Sequence, residues 1–163
     1  MSFKSNIPAI PVLLILLSAH FSAHAAEPKI CDLMTRQQAT ALAGAPVNAG
    51  QEQSITKGPS MCLYTASGSG GQTVSVGVMG KESFHGASAA VAFKAATSAG
   101  NGDKVESIPG LGETAVLVLS ADDNALNVLY HDRIINVDAT GSKIPGLRAA
   151  LIAAAKLVLE KLQ

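Results

Sequence analysis

A chain of 163 residues, 48% apolar and 15% charged, is of a size for one compact domain, and with no tryptophan its core is short of large side chains. Twelve basic residues balance twelve acidic ones, which excludes the electrostatic footprint that nucleic acid or anionic lipid requires. The two cysteines, Cys31 and Cys62, give an even count suited to one disulfide.

Met1 to Ala26 reads as a secretory signal: Lys4 supplies the positive start, Ile10 to Leu17 the apolar run and Ala23-His24-Ala25 the small-x-small cleavage pattern. The apolar run falls well short of the about 20 residues a spanning helix needs. Cys31 follows Pro28-Lys29-Ile30 and lacks the small apolar residues that precede a lipidated cysteine. The sequence therefore predicts residues 27–163 as a single exported domain, periplasmic or secreted, with no stable membrane anchor after cleavage.

From Asp32 the pattern turns helical, with Thr35 as cap, Gln38 as its capping-box partner and Met34 placed to staple back onto the first turn. Gly44 and Pro46 end this helix, which is expected over Arg36 to Ala43. Asn48 to Ser60 is polar without a sustained period and reads as an exposed connection. Met61 to Ala66 alternates, placing Cys62 and Tyr64 on one side and Met61, Leu63 and Thr65 on the other. After the flexible tip Ser67 to Gly71, Val74, Val76 and Val78 alternate with Thr73, Ser75 and Gly77, which predicts a hairpin whose second strand has one wet face.

Lys81 to Ser98 changes period, and Phe84, Ala87, Val91 and Ala95 are spaced to share one face of a helix. Gly100-Asn101-Gly102-Asp103 ends it, a short extended piece surrounds Val105, and Pro109-Gly110-Leu111-Gly112 is a turn. Three strands are expected at Ala115 to Ser120, Ala125 to Tyr130 and Arg133 to Ala139, joined by hairpin-length connections. A final helix opens near Pro145 and carries Leu147, Leu151, Ala154, Val158 and Leu162 on one face, with Lys161 near its C-terminus. The predicted fold is α+β: an antiparallel sheet of about five strands covered by helices, in the order α-ββ-α-βββ-α.

The strongest chemical signal is the cysteine pair. A disulfide closing a loop of about 30 residues stabilises a fold by roughly 3 to 4 kcal/mol in the chain-entropy model. No Cys-x-x-Cys motif lowers a thiol pKa, so the pair reads as a staple rather than a redox site. Gly110-Leu111-Gly112-Glu113-Thr114-Ala115 has the letters of a dinucleotide fingerprint but leads into a strand instead of opening a helix, and no cofactor is expected. Ser54-Ile55-Thr56-Lys57 has acyl-enzyme spacing without helical context. His85 and His131 lack companion ligands at helical or strand spacing, so no metal is expected, and Asp122-Asp123-Asn124 and His131-Asp132 read as turns. Tyr64 and Tyr130 either fill the core or line a pocket with Phe84 or Phe93, and His131 is a surface candidate beside them.

Cys31-Asp32-Leu33, Cys62-Leu63-Tyr64, the segment Gly110 to Ala115 and the Ala/Leu-rich helix Leu147 to Leu162 resemble, in order and spacing, a domain-of-unknown-function family of small secreted or lipid-anchored bacterial proteins common in actinobacteria. Members carry an early Cys-Asp-Leu, a later Cys-x-Tyr and a Gly-Leu-Gly-x-x-Ala segment. The resemblance implies a non-catalytic envelope or ligand-binding module and carries no catalytic residues over. Many members bear a lipid on an N-terminal cysteine, a site this chain does not offer.

The expected function is an exported, non-enzymatic accessory domain that binds an envelope protein or a small ligand on its sheet or in a helix–sheet cleft. The alternatives are a small envelope hydrolase using Asp122, Asp123 and His131, and an inhibitor of a secreted hydrolase presenting the tip Ser67 to Gly71.

Overall fold

The computed structural model describes residues 28–54, 59–68, 70–98, 100 and 102–163. The expected signal segment, Lys57 of the Ser-x-x-Lys spacing and the middle of the Ser67 to Gly71 tip lie outside them.

Local chemistry starts the chain as expected. After a 3-10 turn at Ile30–Asp32, α1 spans Arg36–Ala43. The Gln38 amide donates to Thr35 Oγ1 at 3.2 Å and the Thr35 amide to Gln38 Oε1 at 2.7 Å, which satisfies donors a helix start otherwise leaves open. Gly44 ends the helix in the left-handed conformation. Met34, before the cap, and Ala39, in the first turn, are both buried in the main core.

The strands are β1 at Gln51–Ser54, β2 at Ser60–Thr65, β3 at Thr73–Met79, β4 at Lys104–Ser107, β5 at Thr114–Leu119, β6 at Asp123–Tyr130 and β7 at Arg133–Thr140. Among the described residues they form one seven-stranded antiparallel sheet in the order β1-β2-β3-β7-β6-β5-β4. This corrects the expected sheet of about five strands and the order α-ββ-α-βββ-α. The two additional strands, β1 and β4, are four-residue edges whose residues are mostly exposed on both sides. With no buried face they carry no apolar alternation, and a polar edge of this kind also discourages pairing with another chain.

The pleat sorts the side chains. Cys62, Tyr64, Val74, Val76, Ile135, Val137, Leu126, Val128, Ala115 and Leu117 point to one face and pack with the N-terminal 3-10 turn, α1 and α3, which spans Leu147–Glu160. Leu151, Ala154, Ala155, Val158 and Leu159 are the buried stripe of α3. Lys161, just past its end, donates to the Asp32 carbonyl at 2.6 Å. Arg148, in its first turn, forms an ion pair with Glu106 that ties edge strand β4 to α3.

On the opposite face, the described residues place a cover at one end. The segment expected as one helix from Lys81 to Ser98 is instead a 3-10 turn at Lys81–Phe84 and α2 at Ala89–Ala96. His85 and Gly86 have positive φ between them, and Ser88 caps α2 through its hydroxyl. The buried residues are Phe84 and Phe93, packed with Leu129 and Ile134, whereas Val91, assigned to the inner face by spacing, is 61% exposed. The helix break rotates α2 away from the face that a continuous period implies. On β3 the expected wet face is not wet: Ser75 is buried and so is Gly77.

Cys31 and Cys62 form a disulfide with Cα atoms 5.0 Å apart. The staple joins the 3-10 turn before α1 to β2, the second strand of the sheet.

Candidate functional site

Of the three aromatic or histidine candidates, Tyr130 and His131 meet and Tyr64 stands apart. Tyr64 is 2% exposed under the disulfide region, and its hydroxyl donates to the Met34 carbonyl and lies 3.4 Å from that of Cys31. Burial, followed by the nearby Asp32 charge, pushes its pKa up. Through Val74 and Ala139, Tyr64 is in register with Asn124, six positions from Tyr130 along β6. At about 3.3 Å per residue that places them about 20 Å apart along the strand direction alone. Tyr130 is packed against the main core, and its ring stacks beside His131 at 4.3 Å in the β6–β7 turn, where His131 adopts positive φ. The proposed hydrolase set divides the same way, because Asp123 begins β6, Asp122 immediately precedes it and His131 follows its end. Among the described residues no group of three His, Cys, Asp or Glu side chains is arranged to hold a metal.

Two other places gather side chains. The first is a cleft of about 420 Å³ where the N-terminal 3-10 turn and the end of the α3 segment lean over the ends of β1, β2, β3 and β7. Ile30, Leu33, Val78 and Leu162 supply apolar walls. Around them stand Lys29, Lys81 and Arg133 against Glu52, Glu82 and Asp132, three charges of each sign. A cleft of this volume is in the range of small-molecule sites, and with six charged residues among the thirteen that line it, this one is more polar than apolar. Its wall exists because the staple holds Cys31, and with it Ile30 and Leu33, against β2.

The second place is the part of the sheet's other face away from α2, where the polar positions of β7 stand in a row with those of its neighbours. Asn136 donates to Asn127 Oδ1 at 3.1 Å. Thr140 Oγ1 lies 2.9 Å from Asp123 Oδ1 and 2.9 Å from Asp138 Oδ1. Ser75 is directly opposite Asp138 on β3 and buried. Burial first, and then the Asp123 charge, raises the Asp138 pKa to about 6.

Neither place was legible as a site. The cleft draws on six separated stretches of chain, so no short spacing marks it. The polar row had a signal, since Asn136, Asp138 and Thr140 alternate with Ile135, Val137 and Ala139 within one strand. What hid it was the reading of Asp123 as a turn residue, when it is the first residue of β6.

No protein-family model matches the chain, and neither a curated protein nor a solved structure matches it.

Proposed function

We propose that this protein is an exported, non-enzymatic binding domain of the bacterial cell envelope, and that it holds a small amphipathic ligand in the cleft beside the N-terminal 3-10 turn. The observation that carries the reading is the cleft itself: about 420 Å³ in size, lined by Ile30, Leu33, Val78 and Leu162 together with charged groups of both signs. An apolar body gains by leaving water against Ile30, Val78 and Leu162, while a charged head of either sign finds an opposite partner among the charged groups. The disulfide is compatible with an oxidising, extracytoplasmic location. The signal-like N-terminus and the resemblance to secreted bacterial domains support export in the same direction.

Calorimetric titration with sodium decanoate and with decyltrimethylammonium tests this. Both are expected to bind saturably at one site below their micellar concentrations, and Leu162→Glu, which places a carboxylate among the apolar walls, is expected to weaken decanoate at least tenfold. Absence of heat with both probes, or unchanged decanoate affinity in the variant, contradicts the assignment.

A further inference from the structure

We infer that Asp138, Thr140 and Asp123 form a proton-bound clamp that fastens the turn between β5 and β6 to the end of β7, and that the clamp slackens when its proton leaves. The Thr140 hydroxyl has one hydrogen and two carboxyl oxygens at equal distance, 2.9 Å each. It donates to one of them, and the other contact is a hydrogen bond only if that carboxyl is protonated and donates back. Two ionised carboxylates sharing one hydroxyl would leave a repulsive contact in its place.

Position decides which carboxyl keeps the proton. Asp123 is exposed at the start of β6, whereas Asp138 is half-buried within β7 and flanked by Ser75 across β3 and Ala125 across β6. The less solvated group is the one that stays neutral, so the chain runs from the Asp138 carboxyl to the Thr140 oxygen and from the Thr140 hydroxyl to the Asp123 carboxylate. Burial, the Asp123 charge and a side-chain hydrogen bond with Asp123 hold the Asp138 pKa up against the lowering effect of the Thr140 hydroxyl, which agrees with Asp138 keeping the proton.

No other charge alters the picture from the packed elements. β3 offers Thr73 and Ser75, β5 offers Val118 beyond Ala125, and the one charged side chain of α2, Lys94, is exposed. Asp122 is paired with Lys143 at 3.8 Å in the solvent. Asp123 is thus the charge that Asp138 feels most.

What the clamp holds is defined by its neighbours. The Ser120 hydroxyl donates to the Asp123 carbonyl at 2.6 Å and accepts from the Asp123 amide at 2.9 Å, closing the β5–β6 turn. Past Thr140, the Ser142 hydroxyl donates to the Leu42 carbonyl at 2.6 Å, tying this corner to α1. Loss of the proton places two negative charges around Thr140 and pushes the turn away from β7.

The sign follows from linkage. The folded-state pKa of Asp138 is raised above that of the unfolded chain, so the clamp's contribution is full below about pH 4 and is lost as pH rises through about 6. Carbon-13 carboxyl NMR of the full chain, with amide exchange read between pH 4 and 8, tests it. Asp138 is expected to titrate near pH 6, and the Asp123 and Gly141 amides to exchange severalfold faster above that midpoint after correction for intrinsic rates. Asp138→Asn, whose amide donates as the protonated acid does, is expected to remove the step. Asp123→Asn is expected to move the Asp138 midpoint down toward the ordinary carboxylate range. An Asp138 midpoint below 5, or an exchange step that survives in Asp138→Asn, overturns the clamp. If Asp138→Asn does not fold, an unchanged midpoint in Asp123→Asn overturns it alone. A midpoint that falls on adding millimolar calcium also overturns it, because the pair then holds a metal ion in place of the proton.

Discussion

The hydroxyl of Tyr64 donates to the Met34 carbonyl from a ring almost wholly out of water, and that carbonyl precedes the cap of α1. Removing the hydroxyl leaves a buried acceptor without its partner, which costs about 1 to 3 kcal/mol. Tyr64→Phe is accordingly expected to lower the stability measured by urea unfolding by an amount in that range, and an unchanged midpoint would show that the contact carries no weight. The cysteine pair was legible at this scale because its evidence is compositional, two cysteines in a chain that begins like an exported one. Tyr64 was less so. Its alternation with Cys62 fixed the side it faces, but only the folded position of the N-terminal 3-10 turn shows that the hydroxyl has backbone carbonyls to meet.

At the scale of elements, those with a local cause were readable and those with a tertiary cause were not. α1 carries its start and stop in its own letters, Thr35, Gln38 and Gly44, and its predicted bounds are the observed ones. β5, β6 and β7 alternate because one side of each is buried, so they too were visible within a residue or two. β1 and β4 exist because a neighbour supplies their ladder, and nothing in Gln51–Ser54 or Lys104–Ser107 records that. The break at His85 and Gly86 had the same character: a periodic reading of Lys81 to Ser98 put Val91 inward, whereas Phe84 and Phe93 are the anchors on the partly covered face. The consequence is a pair of contrasting substitutions. Phe93→Ala is expected to cost about 3 kcal/mol by removing a buried ring, while Val91→Ala stays within about 0.5 kcal/mol. Equal losses at the two positions would contradict the orientation of α2.

Among the described residues the molecule is a sheet with its main core on one face and a smaller cluster under α2 on the other, held at its N-terminal side by a covalent staple. Closing the stretch between Cys31 and Cys62, 31 positions apart, contributes about 4 kcal/mol in the chain-entropy model, a large share for a small domain. The staple also has a local effect beyond stability. It presses Ile30 and Leu33 toward β2 and so forms one wall of the cleft on which the proposed function rests. This coupling explains why the site escaped a reading along the chain, since the cleft becomes a place only when the 3-10 turn, four strand ends and the residues after α3 arrive together. Chemical-shift mapping of the oxidised protein with decanoate tests the central claim most directly. The account predicts saturable shifts concentrated at Ile30, Leu33, Val78, Lys81 and Leu162, and shifts concentrated instead around Leu63, Ser75 and Asn136 on the opposite face would contradict it.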